Sequence, residues 1–127
     1  MKRAMVRPRP VPVTTIEITG LPIAPSLRTR ILQRMRRALV GVATSPIHVH
    51  VRFADVNGPK GGLDVRCAID VRIPKTAALH AEGLAARDVT AFDRSAAVVA
   101  RRLAQRLLRR QESARRPKKY YAARRLL

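Results

Sequence analysis

From Ile47 to Phe53 apolar and polar residues alternate without a break. Ile47, Val49, Val51 and Phe53 fall on one side, and His48, His50 and Arg52 on the other. The same period of two returns from Val65 to Ile73. There Val65, Cys67, Ile69, Val71 and Ile73 oppose Asp64, Arg66, Asp70 and Arg72. This pattern predicts strands with one face in a core and the other in water. Pro74 ends the second run, because proline cannot donate to a ladder. Val13 to Thr19 (VTTIEIT) is rich in β-branched residues and is closed by Gly20 and Pro22, so it reads as another strand. Leu79 to Leu84 reads as a weaker strand, with Gly83 expected to mark a bend or bulge.

Two stretches change period. Pro25 suits the first turn of a helix, where its missing N–H costs nothing. Leu27, Ile31, Met35, Ala38 and Leu39 then recur at helical spacing, and Gly41 is a natural stop. Asp88 is a good N-cap for a second, longer helix. Val89, Phe92, Ala96, Val99, Leu103 and Leu107 form its apolar stripe. The period stops at Glu112. The order β-α-β-β-β-α predicts a two-layer α+β domain, a four-stranded sheet with both helices packed on one face. Residues 14–111 form that domain. Residues 1–13 read as a disordered basic arm, since Pro8, Pro10 and Pro12 forbid a helix. Residues 112–127 read as a basic tail.

Between the two alternating strands lies VNGPKGG, Val56 to Gly62. A phosphate-cradling glycine loop joins a strand to a helix, whose N-terminus faces the phosphate. This loop joins strand to strand and lacks the Gly-Lys-Ser/Thr ending. It is the elbow of a hairpin, with Lys60 at its tip.

Composition narrows the function. The 127 residues suffice for one small domain, and 46% are hydrophobic. Only 3% are aromatic, so the core is aliphatic. The net charge is +19, from 27 Lys and Arg against 8 Asp and Glu. Such self-repulsion implies a polyanionic partner, nucleic acid before membrane surface. The excess is not confined to the ends. Residues 14–111 carry seventeen cations against seven acids. One cysteine, Cys67, allows no internal disulfide and fits a reducing cytosol. No apolar run approaches a membrane span, and MKRAMVRPRPVPV lacks the apolar core of a secretory signal.

Catalysis finds no support. The acids are scattered and are accounted for by caps, turns and cross-strand pairs with Arg. No Ser-His-Asp arrangement has a supporting motif. His48 and His50 share a strand face, but a metal site would need a third ligand; His80 is the only other histidine, and Cys67 has the opposite, core-facing parity, so a zinc site is not expected. The arginines remain. Arg30, Arg34 and Arg37 fall together on the first helix, and Arg102, Arg106 and Arg109 on the second, with Arg94 and Arg101 beside them. If the helices lie side by side, these rows make one basic plateau. Arginine binds phosphate in a bidentate fashion. With few aromatics to stack bases, the surface suits the shape and backbone of structured RNA or DNA. Tyr120 and Tyr121 in the tail are the only stacking candidates.

The run DVNGPKGGLDVRCAIDVRIP, the helix RDVTAFDRSAAVVARRLAQRL and the element order resemble the ribosome hibernation-promoting factor and ribosome-associated inhibitor family, also called sigma-54 modulation or S30EA-like. The resemblance spans about residues 14–111 and is to the short form. It implies a cytoplasmic, non-enzymatic translation inhibitor, without cofactor or small-molecule substrate. Such a protein binds the small ribosomal subunit and its rRNA in the mRNA/tRNA channel and keeps ribosomes inactive under stress. It also implies a protein that is monomeric off the ribosome and has no membrane role. Arg101, Arg102 and Arg106 are the rRNA contacts carried over by position, and Arg30, Arg34 and Arg37 follow by face. Lys60, Arg94, Arg109, Arg110, Lys118 and Lys119 complete the candidate rRNA-binding set. The sequence departs from the family in its basic rather than acidic tail, its short extent after Gln111 and its Pro/Arg arm. A general structured-RNA-binding module and a regulator acting on a protein partner are the alternatives.

Overall fold

The alternating runs pair into one sheet. A computed structural model describes residues 11–56 and 64–115, with side chains to Arg110. It contains β1 (Thr14–Gly20), α1 (Pro25–Ala38), β2 (Ile47–Asp55), β3 (Val65–Arg72), β4 (Leu79–Ala85) and α2 (Asp88–Arg115), the expected β-α-β-β-β-α order. The strands stand in the sheet in sequence order. β1 pairs with β2 in parallel, as a helical crossover permits, and β2–β3 and β3–β4 are antiparallel.

The period of two sorts the faces. Ile47, Val49, Val51, Phe53, Cys67, Ile69 and Val71 are buried on one side. Both helices cover that side. Leu27, Ile31 and Met35 of α1 and Phe92, Ala96, Val99 and Leu103 of α2 complete an aliphatic core. Phe53 and Phe92 lie inside it. Cys67 packs there as a small hydrophobe, and burial pushes its thiol up to about 11, against a smaller opposing hydrogen bond from Ser95. The thiol is thus inert at neutral pH.

The helix ends follow local chemistry. Pro25 opens α1 without a side-chain cap, and the chain leaves it through Leu39. Gly41 takes φ +96°, two residues beyond that cap. Asp88 is the first residue of α2, and its carboxylate accepts the N–H of Val89 at 2.7 Å. Negative charge there suits the helix dipole. α2 runs to Arg115, past the point where its apolar stripe ends. The helices run the same way. Arg30 meets Asp93 near their starts, and Gly41 faces Leu107 further along.

Gly83 departs from expectation. It makes no bulge, because Cys67 pairs with Gly83 inside an unbroken β3–β4 register. Its role is close approach. A Cβ there would stand 2.4 Å from the Ala91 carbonyl oxygen and 2.8 Å from the Ser95 nitrogen. Glycine therefore lets the backbone of α2 sit directly on β4.

The hairpin elbow is framed by the pair Asp55–Val65 and by the Val56 N–H donating to the Asp64 carbonyl at 3.2 Å. Strand joins strand across it. Lys60 in the loop, Lys118 and Lys119 in the tail, Tyr120 and Tyr121, and residues 1–10 of the arm lie outside the described residues.

Candidate nucleic-acid interface

The arginines of α2 project from a helix pressed against an edge strand. β4 ends the sheet, so among the described residues one side of its backbone has no strand partner. Such an edge exposes carbonyls and invites pairing with another chain. Arg94 donates to the Leu84 carbonyl. Arg102 donates to the His80 carbonyl at 2.6 Å, and Arg106 donates to the Ala77 carbonyl at 2.8 Å. The close seat of α2 at Gly83 brings these side chains within reach. Each guanidinium has five N–H donors, and a carbonyl occupies only part of them. The clamp therefore engages two carbonyls of the edge strand and one just before it, and fixes a row of cations whose other donors have no partner among the described residues. Ordering these long side chains in advance lowers the entropy cost of binding a phosphate.

α1 carries a different row. Arg30 makes a bidentate pair with Asp93 of α2, at 2.9 and 2.8 Å. The Asp93 hydrogen bond and charge raise the pKa of Arg30 further. This guanidinium joins the helices. A small cleft of about 240 Å³ is lined by Arg30, Gln33, Arg34 and Arg37. Arg34 and Arg37 make no ion pair among the described residues. Arg101, Arg109 and Arg110 on α2 are exposed and also make no ion pair among the described residues.

The sequence anticipated one plateau, and the helices present two rows. The α1 row borders the groove between the helices, where Arg30 meets Asp93. Arg94, Arg102 and Arg106 lie on the opposite flank of α2, over β4. Sequence reasoning found these arginines but missed their partners. In the sequence Asp93 is one of several scattered acids explained together by caps, turns or cross-strand pairs with Arg, and the carbonyl acceptors leave no mark there.

The other face of the sheet is open and polar. Arg52 pairs with Asp70 at 2.7 Å, as cross-strand pairing anticipated. His80 shares Asp70 at 2.5 Å and reaches Glu82 at 3.4 Å. Burial alone would raise the Asp70 pKa, but His80 and Arg52 together outweigh it and hold the carboxyl low. The hydrogen bond to Asp70, with help from Glu82, raises the pKa of His80 against a smaller burial effect. Among the described residues, no three His, Cys, Asp or Glu side chains gather closely enough to hold a metal ion.

This architecture has counterparts among solved structures. A ribosomal subunit interface protein from Coxiella burnetii aligns with a TM-score of 0.55 and 18% identity, over 71% of this chain and 93% of that one. The N-terminal domain of Protein Y from Thermus thermophilus aligns with a TM-score of 0.55 and 19% identity, over 69% and 91%. The chain shares their fold. The family resemblance read from the sequence is thus met by the same architecture in three dimensions. No family model matches the chain, and no curated protein matches it. Among the described residues no helix is long and apolar enough to cross a membrane.

Proposed function

We propose that this protein is a non-enzymatic translation inhibitor that binds the small ribosomal subunit through its rRNA, in the channel used by mRNA and tRNA, and keeps ribosomes idle under stress. The observation that carries the reading is the fixed arginine row of α2, on a fold shared with a protein named for the ribosomal subunit interface. Structured rRNA offers a dense phosphate backbone, and anchored guanidinium groups match it. The scarcity of aromatics fits recognition of shape and backbone rather than of unstacked bases.

Arg102, Arg106 and Arg94 would contact phosphate with the donors that β4 leaves free. Arg37, Arg101, Arg109 and Arg110 would add charge from exposed positions, and Arg34 from a half-buried one. Arg30 would contribute less, because Asp93 already occupies it. Lys60, Lys118 and Lys119 belong to the same proposal. The test is a fourfold charge reversal at residues whose side chains have no partner among the described residues: Arg34→Glu, Arg37→Glu, Arg101→Glu and Arg109→Glu. The variant is expected to melt like the parent and to lose small-subunit binding. A variant that binds like the parent would refute the helix-side interface.

A further inference from the structure

The open face of the sheet gathers all three histidines of the chain. The register aligns them in rows. His48 stands opposite Arg72, His50 lies between Glu17 and Asp70, and Asp70 stands opposite His80. Arg52 and Glu82 flank Ala68 in the next row, and Arg66 faces Leu84 beyond it. Across the paired strands the face therefore carries Glu17, Asp70 and Glu82 against Arg52, Arg66 and Arg72, and its net charge is zero while the histidines are neutral. Asp64 stands just outside the paired register, at the hairpin loop.

Protonation changes this balance. Histidine is the side chain whose charge ordinarily changes between about pH 5 and 8. The acids are already engaged or faced. Asp70 is bracketed by Arg52 and His80, Glu82 lies beside His80, and Glu17 faces His50. The Thr19 hydroxyl, 2.8 Å from His50 Nε2, can accept from a protonated ring. With those acids taken up, Arg72 and Arg66 are left without an acid paired to them among the described residues. Arg72 and His48 both line a groove of about 690 Å³ on this face, with Thr15 and Glu17 along its β1 side. Asp70 lines the groove too, but Arg52 and His80 already take up its carboxylate, and the two adjacent side chains Arg72 and His48 are suited to a phosphodiester.

We propose that the open sheet face is a second RNA-backbone surface, neutral when its histidines are neutral and engaged when they are protonated. It lies on the side of the sheet away from the helices, whose arginines keep their charge throughout. A single molecule could then hold one RNA segment on each side under mild acid. This surface does not depend on the ribosome-binding reading, because the experiment uses a free oligonucleotide.

The probe is a fluorescent oligouridylate, since neither uracil nor the phosphodiester titrates in this range. Fluorescence anisotropy at constant salt gives Kd for the full chain at about pH 7.5 and about pH 5.5. The parent is expected to bind about tenfold tighter at the lower pH. His48→Gln, His50→Gln and His80→Gln together should keep the neutral-pH affinity and lose most of that gain. Arg72→Gln should weaken the acid-pH complex severalfold, with circular dichroism unchanged at both pH values. A histidine-free variant that gains as much as the parent would overturn the proposal. So would a parent that does not tighten, or an Arg72→Gln variant with full acid-pH affinity.

Discussion

Gly83→Ala adds one methyl group where β4 and α2 touch. The new Cβ would lie 2.4 Å from the Ala91 oxygen, about an ångström inside ordinary contact, and 2.8 Å from the Ser95 nitrogen. Both are backbone atoms, so no side chain can swing aside. Arg94 Cβ, at 3.0 Å, closes the third direction. The helix must lift, and Ala91, Phe92, Ser95 and Ala96, all fully buried, must lift with it. Overpacking of this kind costs about 1–3 kcal/mol, and the backbone neighbours put this case at the upper end. The lower chain entropy of alanine returns about 0.5–1 kcal/mol. The net expectation is a loss of about 2 kcal/mol. For a domain of this size that lowers Tm by about 8–16 °C. Urea unfolding checks it, with the midpoint falling at unchanged slope. The contrast is Gly41→Ala, whose Cβ would meet only Leu107 Cδ1 at 3.7 Å. That variant bears only its positive φ, about 1 kcal/mol. The lifted helix also draws Arg94, Arg102 and Arg106 from their carbonyls, so RNA affinity should fall with stability. A Gly83→Ala protein as stable as the parent would refute the close-approach account.

Arg102→Glu with Arg106→Glu removes two edge clamps and reverses two charges. It should abolish ribosome binding and lower Tm by a few degrees, since a net hydrogen bond contributes about 0.5–1.5 kcal/mol and these are exposed. Arg102→Lys with Arg106→Lys should retain partial binding with steeper loss in salt, measured by filter binding. His80→Gln tests the open-face network by pH. The raised pKa of His80 contributes stability that is fully present below the ordinary imidazole value and is lost as pH rises through the folded value. The lowered pKa of Asp70 contributes above the ordinary carboxyl value and is lost as pH falls through the folded one. The pair is therefore strongest in mild acid. After solvent screening the variant should lose a few tenths of a kcal/mol at about pH 6 and almost nothing at about pH 9. Equal losses at both pH values would contradict the pairing.

The elements were legible because each has a clean period. Ile47 to Phe53 and Val65 to Ile73 alternate strictly, and the apolar stripe of α2 is continuous through Leu103. Strand parity alone puts Cys67 and Phe53 in the core, and the helical stripe does the same for Phe92. Gly83 was misread because a glycine inside a strand has two meanings, a bulge or a close approach. A usable signal was present. Gly83 shares the core-facing parity of Leu79, Ala81 and Ala85, and small residues Ala91 and Ser95 fall on the facing side of the helix. The arginine rows were visible as helical spacing. Their partners were not, because carbonyl acceptors at Leu84, His80 and Ala77 carry no residue-type signature. Asp93 is a carboxylate like any other until α1 is laid beside α2. The charge of the chain pointed to a polyanion, but only the packing divides its arginines into those that clamp and those that stand free.

The most direct measurement is sedimentation of the purified protein through sucrose gradients with separated small subunits, large subunits and whole ribosomes. The account predicts saturable binding to small subunits and whole ribosomes, none to large subunits alone, and loss of that binding as salt rises, as phosphate contacts require. Equal binding to both subunits and to unrelated RNA hairpins, or no binding at moderate salt, would contradict it.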